Sequence, residues 1–259
     1  MFQKPRYLQS TFSIVFPRKP FIRKEAFKFE QIVESLYIQP RIIDVPDEIN
    51  PDMPRIIFIS KDGSGQLIIS QINFIVNLTY INNIQSDVSK YREDLIAQVL
   101  LLFKMLENIQ ENHPYFCGLN TLVQIPIQGE DNNKIISRIY NLFSENNRER
   151  SISPFDNNAN GFNDIYEFQV KSSNVIDEKF FSNTTVQNYN TWATEEIHLL
   201  SRLSSKKITE TGIQIIGDFN DRYAFNELES YFCSKDSAIT VVESGFDKIY
   251  SVIKQLTRG

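Results

Sequence analysis

The chain has 259 residues, a net charge of −5 and 41% hydrophobic residues, so it can bury a core and is not disordered throughout. No apolar run approaches the roughly 18 residues of a membrane helix, and two cysteines, Cys117 and Cys233, cannot form a disulfide scaffold. The N-terminus shows no apolar signal region. We therefore expect a soluble, cytoplasmic protein without membrane contact.

The first half of the chain predicts a strand at 8–16, a helix at 24–36, strands at 37–45 and 55–60, a hairpin turn at 61–66 and one long strand at 67–80. A helix at 88–109, with Ser86 or Asp87 as its N-cap, carries more apolar residues than one helix–sheet contact needs. We therefore expect a second surface to cover it. The closing helix of the same chain is the favoured cover, giving a monomer, and a second copy giving a homodimer is the alternative.

The second half predicts a strand at 115–127, a helix at 133–143, a polar loop at 144–164, an extended segment at 164–170, three meander strands at 180–192, 197–203 and 208–218, a short helix near 224–232 and a closing helix at 239–256. Together the elements indicate an α+β fold, with antiparallel strands packed against long helices. Because the element order nearly repeats, we predict two pseudo-related halves, 1–112 and 113–259, that share one core.

Three stretches carry a resemblance. They are Pro54–Gly63 (PRIIFISKDG) running into the next strand, the strand near 118–127, and Gly212–Phe219 (GIQIIGDF) before the closing helix. The chain resembles a sporadically distributed, uncharacterised bacterial family of roughly this length, which has an R-x-x-F-x-S-x-D-G hairpin and a late strand ending in aspartate. The resemblance implies no catalytic residues. The patchy distribution of the family suggests a mobile or defence-related bacterial system.

One loop matches a calcium-binding pattern. The spacing D-x-[DN]-x-[DN]-G-x5-E is met by Asp156, Asn158, Asn160, Gly161 and Glu167. Ca²⁺ takes six to eight oxygen ligands, and alternate positions around a glycine turn supply them. The flanking sequence does not predict the two helices of such a site, so a plain polar loop is the favoured alternative. No other cofactor is predicted.

The first 30 residues are basic, with seven Lys or Arg against two Glu, so this segment has a net charge of +5 and the remainder −10. Arg18, Lys19, Arg23 and Lys24 are candidates for contact with a phosphate or an acidic partner. Aromatic residues interleave with these cations, and such pairs can stack nucleic-acid bases. The favoured interpretation places these aromatic residues, Tyr7, Phe12, Phe16, Phe21 and Phe27, in the core.

Two further groups could carry chemistry. Asp218 and Asp221 stand at a strand end, where they could hold a cation or form a hydrogen-bonded turn. Cys117 with His113 or His198 could act as a nucleophile–base pair, although a buried structural cysteine is favoured. No phosphate-binding loop, dinucleotide fingerprint or zinc motif is found.

These patterns favour a non-enzymatic protein-interaction module that regulates or neutralises a partner protein, because no catalytic constellation is assembled. A cation-dependent enzyme or calcium-stabilised domain that uses the 156–167 loop is one alternative. A nucleic-acid-associated subunit that uses the basic N-terminal segment is another, disfavoured by the acidity of the whole chain.

Overall fold

In a computed structural model, which describes residues 1–80, 87–144, 167–192 and 208–257, the chain forms a nine-stranded antiparallel sheet with five helices. The strands are β1 (Arg6–Val15), β2 (Arg41–Ile42), β3 (Ile56–Ile59), β4 (Gly65–Ile69), β5 (Asn73–Thr79), β6 (Phe116–Pro126), β7 (Gln169–Ile176), β8 (Phe180–Trp192) and β9 (Ile208–Asn220). The helices are α1 (Ala26–Val33), α2 (Val88–Asn108), α3 (Asn132–Ser144), α4 (Arg222–Glu227) and α5 (Lys235–Thr257). The predicted α+β class is confirmed.

The strands follow the order β2-β3-β4-β5-β1-β6-β9-β8-β7 across the sheet. The five strands from residues 1–112 lie on one side and the four from residues 113–259 on the other, and β1 pairs with β6 between them. One hydrophobic cluster includes residues from both sides. The pseudo-repeat of the two halves stays a prediction.

Helices α2 and α5 pack against each other, so the closing helix covers α2 as predicted. The Tyr7 ring on β1 lies 5.8 Å from the Tyr91 ring of α2 and 6.0 Å from the Phe246 ring of α5, measured between centroids. An ion pair between Arg92 and Asp247 also joins the two helices. Of the two N-caps predicted for α2, Asp87 takes the position and accepts a hydrogen bond from the Lys90 backbone N–H. None of the helices in the described part of the chain is long and apolar enough to cross a membrane.

The single strand predicted at 67–80 is wrong, because a turn at Ser70 divides it into β4 and β5. The Ser70 hydroxyl oxygen accepts hydrogen bonds from the backbone N–H groups of Ile72 and Asn73, at 3.1 and 3.0 Å. The turn also changes which side chains are buried: Leu67 and Ile69 face the core before it, and the even-numbered residues of β5 do so after it. The break of alternation at Ser70 was the signal of this turn.

Other boundaries also differ from the sequence predictions. The strand expected at 37–45 is reduced to β2, and the helix expected at 24–36 ends at Val33 after a 3-10 turn at Ile22–Glu25. Strand β8 pairs directly with β9, whereas the predicted meander placed a third strand between them. Residues 197–203 lie outside the described residues.

The residues of the family-like hairpin pattern stabilise the backbone. The fully buried Arg55 guanidinium donates hydrogen bonds to the carbonyl oxygens of Met53 and Ile49, at 2.9 and 3.1 Å. The Ser60 hydroxyl donates to the Asp62 carboxylate and accepts from the Gly65 N–H, both at 2.7 Å. Gly63 has a φ of +73°, which the tight turn requires and glycine adopts without strain. The pattern therefore describes a structural hairpin.

Candidate functional site

The 3-10 turn and α1 form one amphipathic segment beside the sheet. Ile22, Ala26, Phe29 and Val33 are buried in the core cluster, at spacings of four, three and four residues that place them on one side of a helix. The opposite side faces solvent and carries Phe21, Lys24, Phe27 and Lys28. We call these four residues the N-terminal face. The buried stripe fixes the backbone that presents them.

Two phenylalanines dominate the N-terminal face. Phe21 is 64% exposed and Phe27 is 69% exposed. The sequence interpretation that placed the aromatic residues of this segment in the core is therefore right for Tyr7, Phe12 and Phe16 and wrong for these two. Because a buried aromatic side chain removes 150–250 Å² from water, two exposed ones leave a large apolar area without a core contact among the described residues.

A positive charge lies over the ring of Phe21. The Lys24 Nζ atom is 4.5 Å from the centroid of the Phe21 ring, a cation–π contact. Lys24 makes no ion pair with any residue that the structure describes, whereas the Lys28 Nζ atom lies 2.8 Å from a carboxylate oxygen of Glu25. The N-terminal face therefore combines apolar area with a cation that lacks a carboxylate partner within the described ranges.

A groove borders the N-terminal face where the 3-10 turn approaches the end of α2. Its walls include Pro20, Ile22, Asn108, Ile109 and Gln110. Gln110 has a φ of +54° where the chain leaves the helix. Phe21 lines the same groove, together with the charged side chains of Lys19, Glu25 and Lys28.

The other basic candidates of this segment are engaged within the chain. The Arg18 Nε atom donates to the Gln71 side-chain oxygen at 3.0 Å, and the Arg23 guanidinium donates to the Asp47 carboxylate at 2.8 Å. The Lys19 Nζ atom lies 2.8 Å from a carboxylate oxygen of the buried Glu111. Contact of Arg18, Lys19, Arg23 and Lys24 with a phosphate or an acidic partner stays a prediction, and Lys24 is the one of the four that lies on the N-terminal face.

Three of the four predicted calcium ligands, Asp156, Asn158 and Asn160, lie outside the described residues. Glu167 is described, is exposed, and lies two residues before β7 begins. The calcium site stays a prediction.

The two aspartates that the sequence placed together differ in their surroundings, since Asp218 lies half-buried within β9 and Asp221 is buried directly after it. The Asp218 carboxylate accepts a hydrogen bond from the Asn220 side chain at 3.0 Å, as in an ordinary polar turn. Asp221 is fully buried and lies with Cys117 and Cys233. His113 is not in this group and packs against the Phe232 ring. The favoured interpretation of Cys117 as a buried residue is confirmed.

The proximity of Cys233 to Cys117 was missed by the sequence analysis, because the two residues are far apart in the chain. No local pattern in the sequence signals it, because the pairing of β6 with β9 brings Cys117 opposite the end of β9, and Cys233 follows α4 just before α5 begins. The chain matches no protein-family model, no curated protein and no solved structure. The resemblance to a bacterial family stays a prediction.

Proposed function

We propose that the protein is a non-enzymatic protein-interaction module that binds a partner protein through the N-terminal face. The observation that carries the proposal is the 64% and 69% exposure of Phe21 and Phe27. Both belong to a segment whose opposite side is anchored in the core. Exposed aromatic side chains held on a fixed backbone are typical anchors of protein–protein interfaces, since they bury a large area with little loss of side-chain freedom.

The chemistry of the face defines the partner. Phe21 and Phe27 would occupy apolar depressions on the partner, and the groove beside Phe21 would accept an apolar side chain in return. Lys24 favours a carboxylate of the partner near the Phe21 ring, because the ammonium group has no carboxylate neighbour among the described residues. The partner we propose is therefore a protein with an apolar surface bordered by an acidic side chain.

A nucleic acid is the competing ligand of the same face, because bases also stack on aromatic rings beside cations. Affinity for nucleic acids grows with the number of phosphates that Lys and Arg neutralise. Arg18, Lys19 and Arg23 are engaged within the chain, and the whole chain has a net charge of −5. These observations favour a protein partner.

The biological system to which the partner belongs is proposed from the family resemblance alone. The partner would be a protein of a mobile or defence-related bacterial system, which the module regulates or neutralises. Co-purification from a host carrying the neighbouring genes is the direct way to test that part.

The proposal is tested by affinity purification with Phe21→Ser/Phe27→Ser as the altered bait. We expect the wild-type protein to retain one protein at a stoichiometric level after nuclease treatment, and the double variant to lose it. The matched control is Tyr250→Ser on α5, which removes an aromatic side chain that is 55% exposed and should retain the partner.

Two outcomes would overturn the proposal. In one, the double variant and the Tyr250→Ser control retain the partner equally, so that the N-terminal face is not the contact. In the other, nuclease treatment releases everything that depends on Phe21 and Phe27, so that the ligand is a nucleic acid. Lys24→Glu should weaken capture, and should weaken it less as salt is added, because salt screens the charge that the substitution removes.

A further inference from the structure

The two cysteines of the chain meet at one buried aspartate. The sulfur atoms of Cys117 and Cys233 and a carboxylate oxygen of Asp221 all lie within 4.8 Å of one another. All three residues have 0% exposure. We call these residues the thiol–carboxylate cluster. It is independent of the N-terminal face in sequence and in chemistry.

Regular elements hold each member of the cluster. Cys117 is the second residue of β6, and Asp221 directly follows β9, which pairs with β6. The Asp221 N–H donates to the Cys117 carbonyl oxygen at 3.2 Å, and the Cys117 N–H donates to the Asp221 carboxylate at 2.6 Å. The Cys233 N–H donates to the carbonyl oxygen of Pro114 at 2.8 Å. The three ligand atoms are therefore brought together by the sheet and by the start of α5.

A second hydrogen bond orients the carboxylate. The Tyr231 hydroxyl donates to the other Asp221 oxygen at 2.7 Å. The Cys117 N–H and the Tyr231 hydroxyl thus hold the two oxygens of the carboxylate, and both thiols interact with the same group. Among the described residues, Asp221 belongs to no ion pair. Burying a carboxylate costs free energy unless the group is paired, protonated or bound to a metal.

Burial disfavours the charged forms of all three groups of the cluster. Burial raises the pKa of Asp221 above its ordinary value, although the Tyr231 hydroxyl and the Cys117 N–H partly offset this rise. Burial and the neighbouring Cys233 thiol raise the pKa of Cys117 well above its usual range. For Cys233, the hydrogen bond with Cys117 lowers the pKa, but burial and Asp221 raise it more.

We propose that Cys117, Asp221 and Cys233 bind one thiophilic divalent metal ion, of which Zn²⁺ fits the ligand set best. Two sulfur atoms select a soft or borderline ion, and a carboxylate oxygen is an accepted third ligand of Zn²⁺. Binding replaces the protons of the two thiols and of any protonated carboxyl group by the ion, and these protons pass to the solvent. Three protein ligands leave the fourth tetrahedral position to a water molecule.

The hydrogen bonds around the cluster fit this role. Metal-binding carboxylates are held by outer donors that fix their orientation, and Tyr231 and the Cys117 N–H both contact Asp221. A disulfide between Cys117 and Cys233 is the competing use of the two thiols. The carboxylate oxygen held within 4.8 Å of both sulfur atoms favours the metal, because a disulfide does not use this third group as a ligand.

The test uses the full chain, reduced and freed of metal with a chelator, with Co²⁺ as the spectroscopic probe. We expect one equivalent of Co²⁺ to produce thiolate-to-cobalt charge-transfer absorption, and Zn²⁺ to abolish it by displacement. The affinity should rise with pH, because binding releases protons. Asp218→Asn, which changes an aspartate three residues away, is the matched control and should bind as the wild type does.

Variants of the cluster test whether the Asp221 carboxylate is a metal ligand. Asp221→Asn should weaken Co²⁺ binding by more than about tenfold, and Tyr231→Phe by about tenfold, as expected for an outer partner of a metal ligand. Circular dichroism checks that each variant folds, and Tyr231→Phe keeps the test informative if Asp221→Asn does not fold. Absence of thiolate-to-cobalt absorption in the reduced wild type would overturn the proposal, as would equal binding by Tyr231→Phe and the wild type.

Discussion

The N-terminal face and the thiol–carboxylate cluster depart from ordinary packing in opposite ways. On the N-terminal face, the apolar side chains of Phe21 and Phe27 stay exposed to solvent. The thiol–carboxylate cluster instead buries Asp221 with two thiols, where the charged forms of these groups are disfavoured. Exposed apolar patches and buried polar groups are the deviations that carry information in a folded protein. The N-terminal face therefore suits contact with another molecule, and the thiol–carboxylate cluster suits the binding of an ion.

The two deviations differ in how they are linked to folding. Removing Phe21 or Phe27 takes away few intramolecular contacts, so it should alter binding with little change in the free energy of unfolding. The cluster joins β6, β9 and the start of α5, so any change there should alter the free energy of unfolding.

Arg55→Met measures how much the free energy of unfolding falls when a buried charged group is removed. Arg55 is buried as completely as Asp221, but its guanidinium donates to backbone carbonyl groups of the loop before β3. Its loss leaves these carbonyl groups without their donor, and we expect about 3–5 kcal/mol of destabilisation in urea unfolding. Arg41→Met on the exposed β2 is the control and should change little. A cost below about 1 kcal/mol for Arg55→Met would show that solvent replaces the lost hydrogen bonds.

The pH dependence of Asp221 should be visible in the metal-free protein. Because burial raises the pKa of Asp221 in the folded state, the folded state keeps its proton at a pH where the unfolded carboxyl group, with a pKa of about 3.9, has lost it. The stabilisation is complete below that pH and declines as pH rises towards the folded pKa, with a slope of at most about 1.4 kcal/mol per pH unit.

Asp221→Asn should remove this decline. Urea unfolding of the wild type and the variant, with chelator and reductant present, measures the difference between their free energies of unfolding at each pH. Parallel pH profiles would mean that Asp221 does not titrate differently in the folded and unfolded states.

Asp62 should show the opposite sign with a smaller amplitude, because it is exposed at the hairpin turn. The Ser60 hydroxyl and the Ser64 N–H hold the pKa of Asp62 below its ordinary value. Its contribution is therefore present above the unfolded pKa and is lost as pH falls through the folded pKa. Asp62→Asn should reduce the loss of stability between about pH 5 and about pH 2, measured by thermal unfolding. An unchanged acid profile would contradict the role of these hydrogen bonds.

The smallest effect on stability is expected at the N-terminal face. Phe21→Ser/Phe27→Ser should change the free energy of unfolding by no more than about 0.5 kcal/mol, as is usual for exposed positions. Phe29→Ser is the contrasting variant, since Phe29 is fully buried on the opposite side of α1, and should cost several times more. If both variants are equally destabilising, the face belongs to the core and not to an interface.

Local patterns predicted the α+β class and most of the long elements, because periodicity reports which face of an element is buried. The split at Ser70 was missed because residues on both sides of the turn are apolar. The break of alternation at Ser70 was a signal, but it does not by itself show that the chain reverses there, as the side-chain hydrogen bonds of Ser70 do. Phe21 and Phe27 were assigned to the core because a sequence shows that a residue is apolar but not whether a neighbour covers it. The cluster depends on the pairing of β6 with β9, which local patterns do not specify.

Site-specific photo-crosslinking shows directly whether the N-terminal face contacts a partner protein. A photoreactive phenylalanine analogue is placed at Phe27 in one protein and at Tyr250, which is 55% exposed on α5, in another, and both are irradiated in the native host extract. We expect one protein to be crosslinked at position 27 and not at position 250. This crosslink should be lost when Phe21→Ser is added. Equal crosslinking at the two positions, or none at position 27, would contradict this expectation.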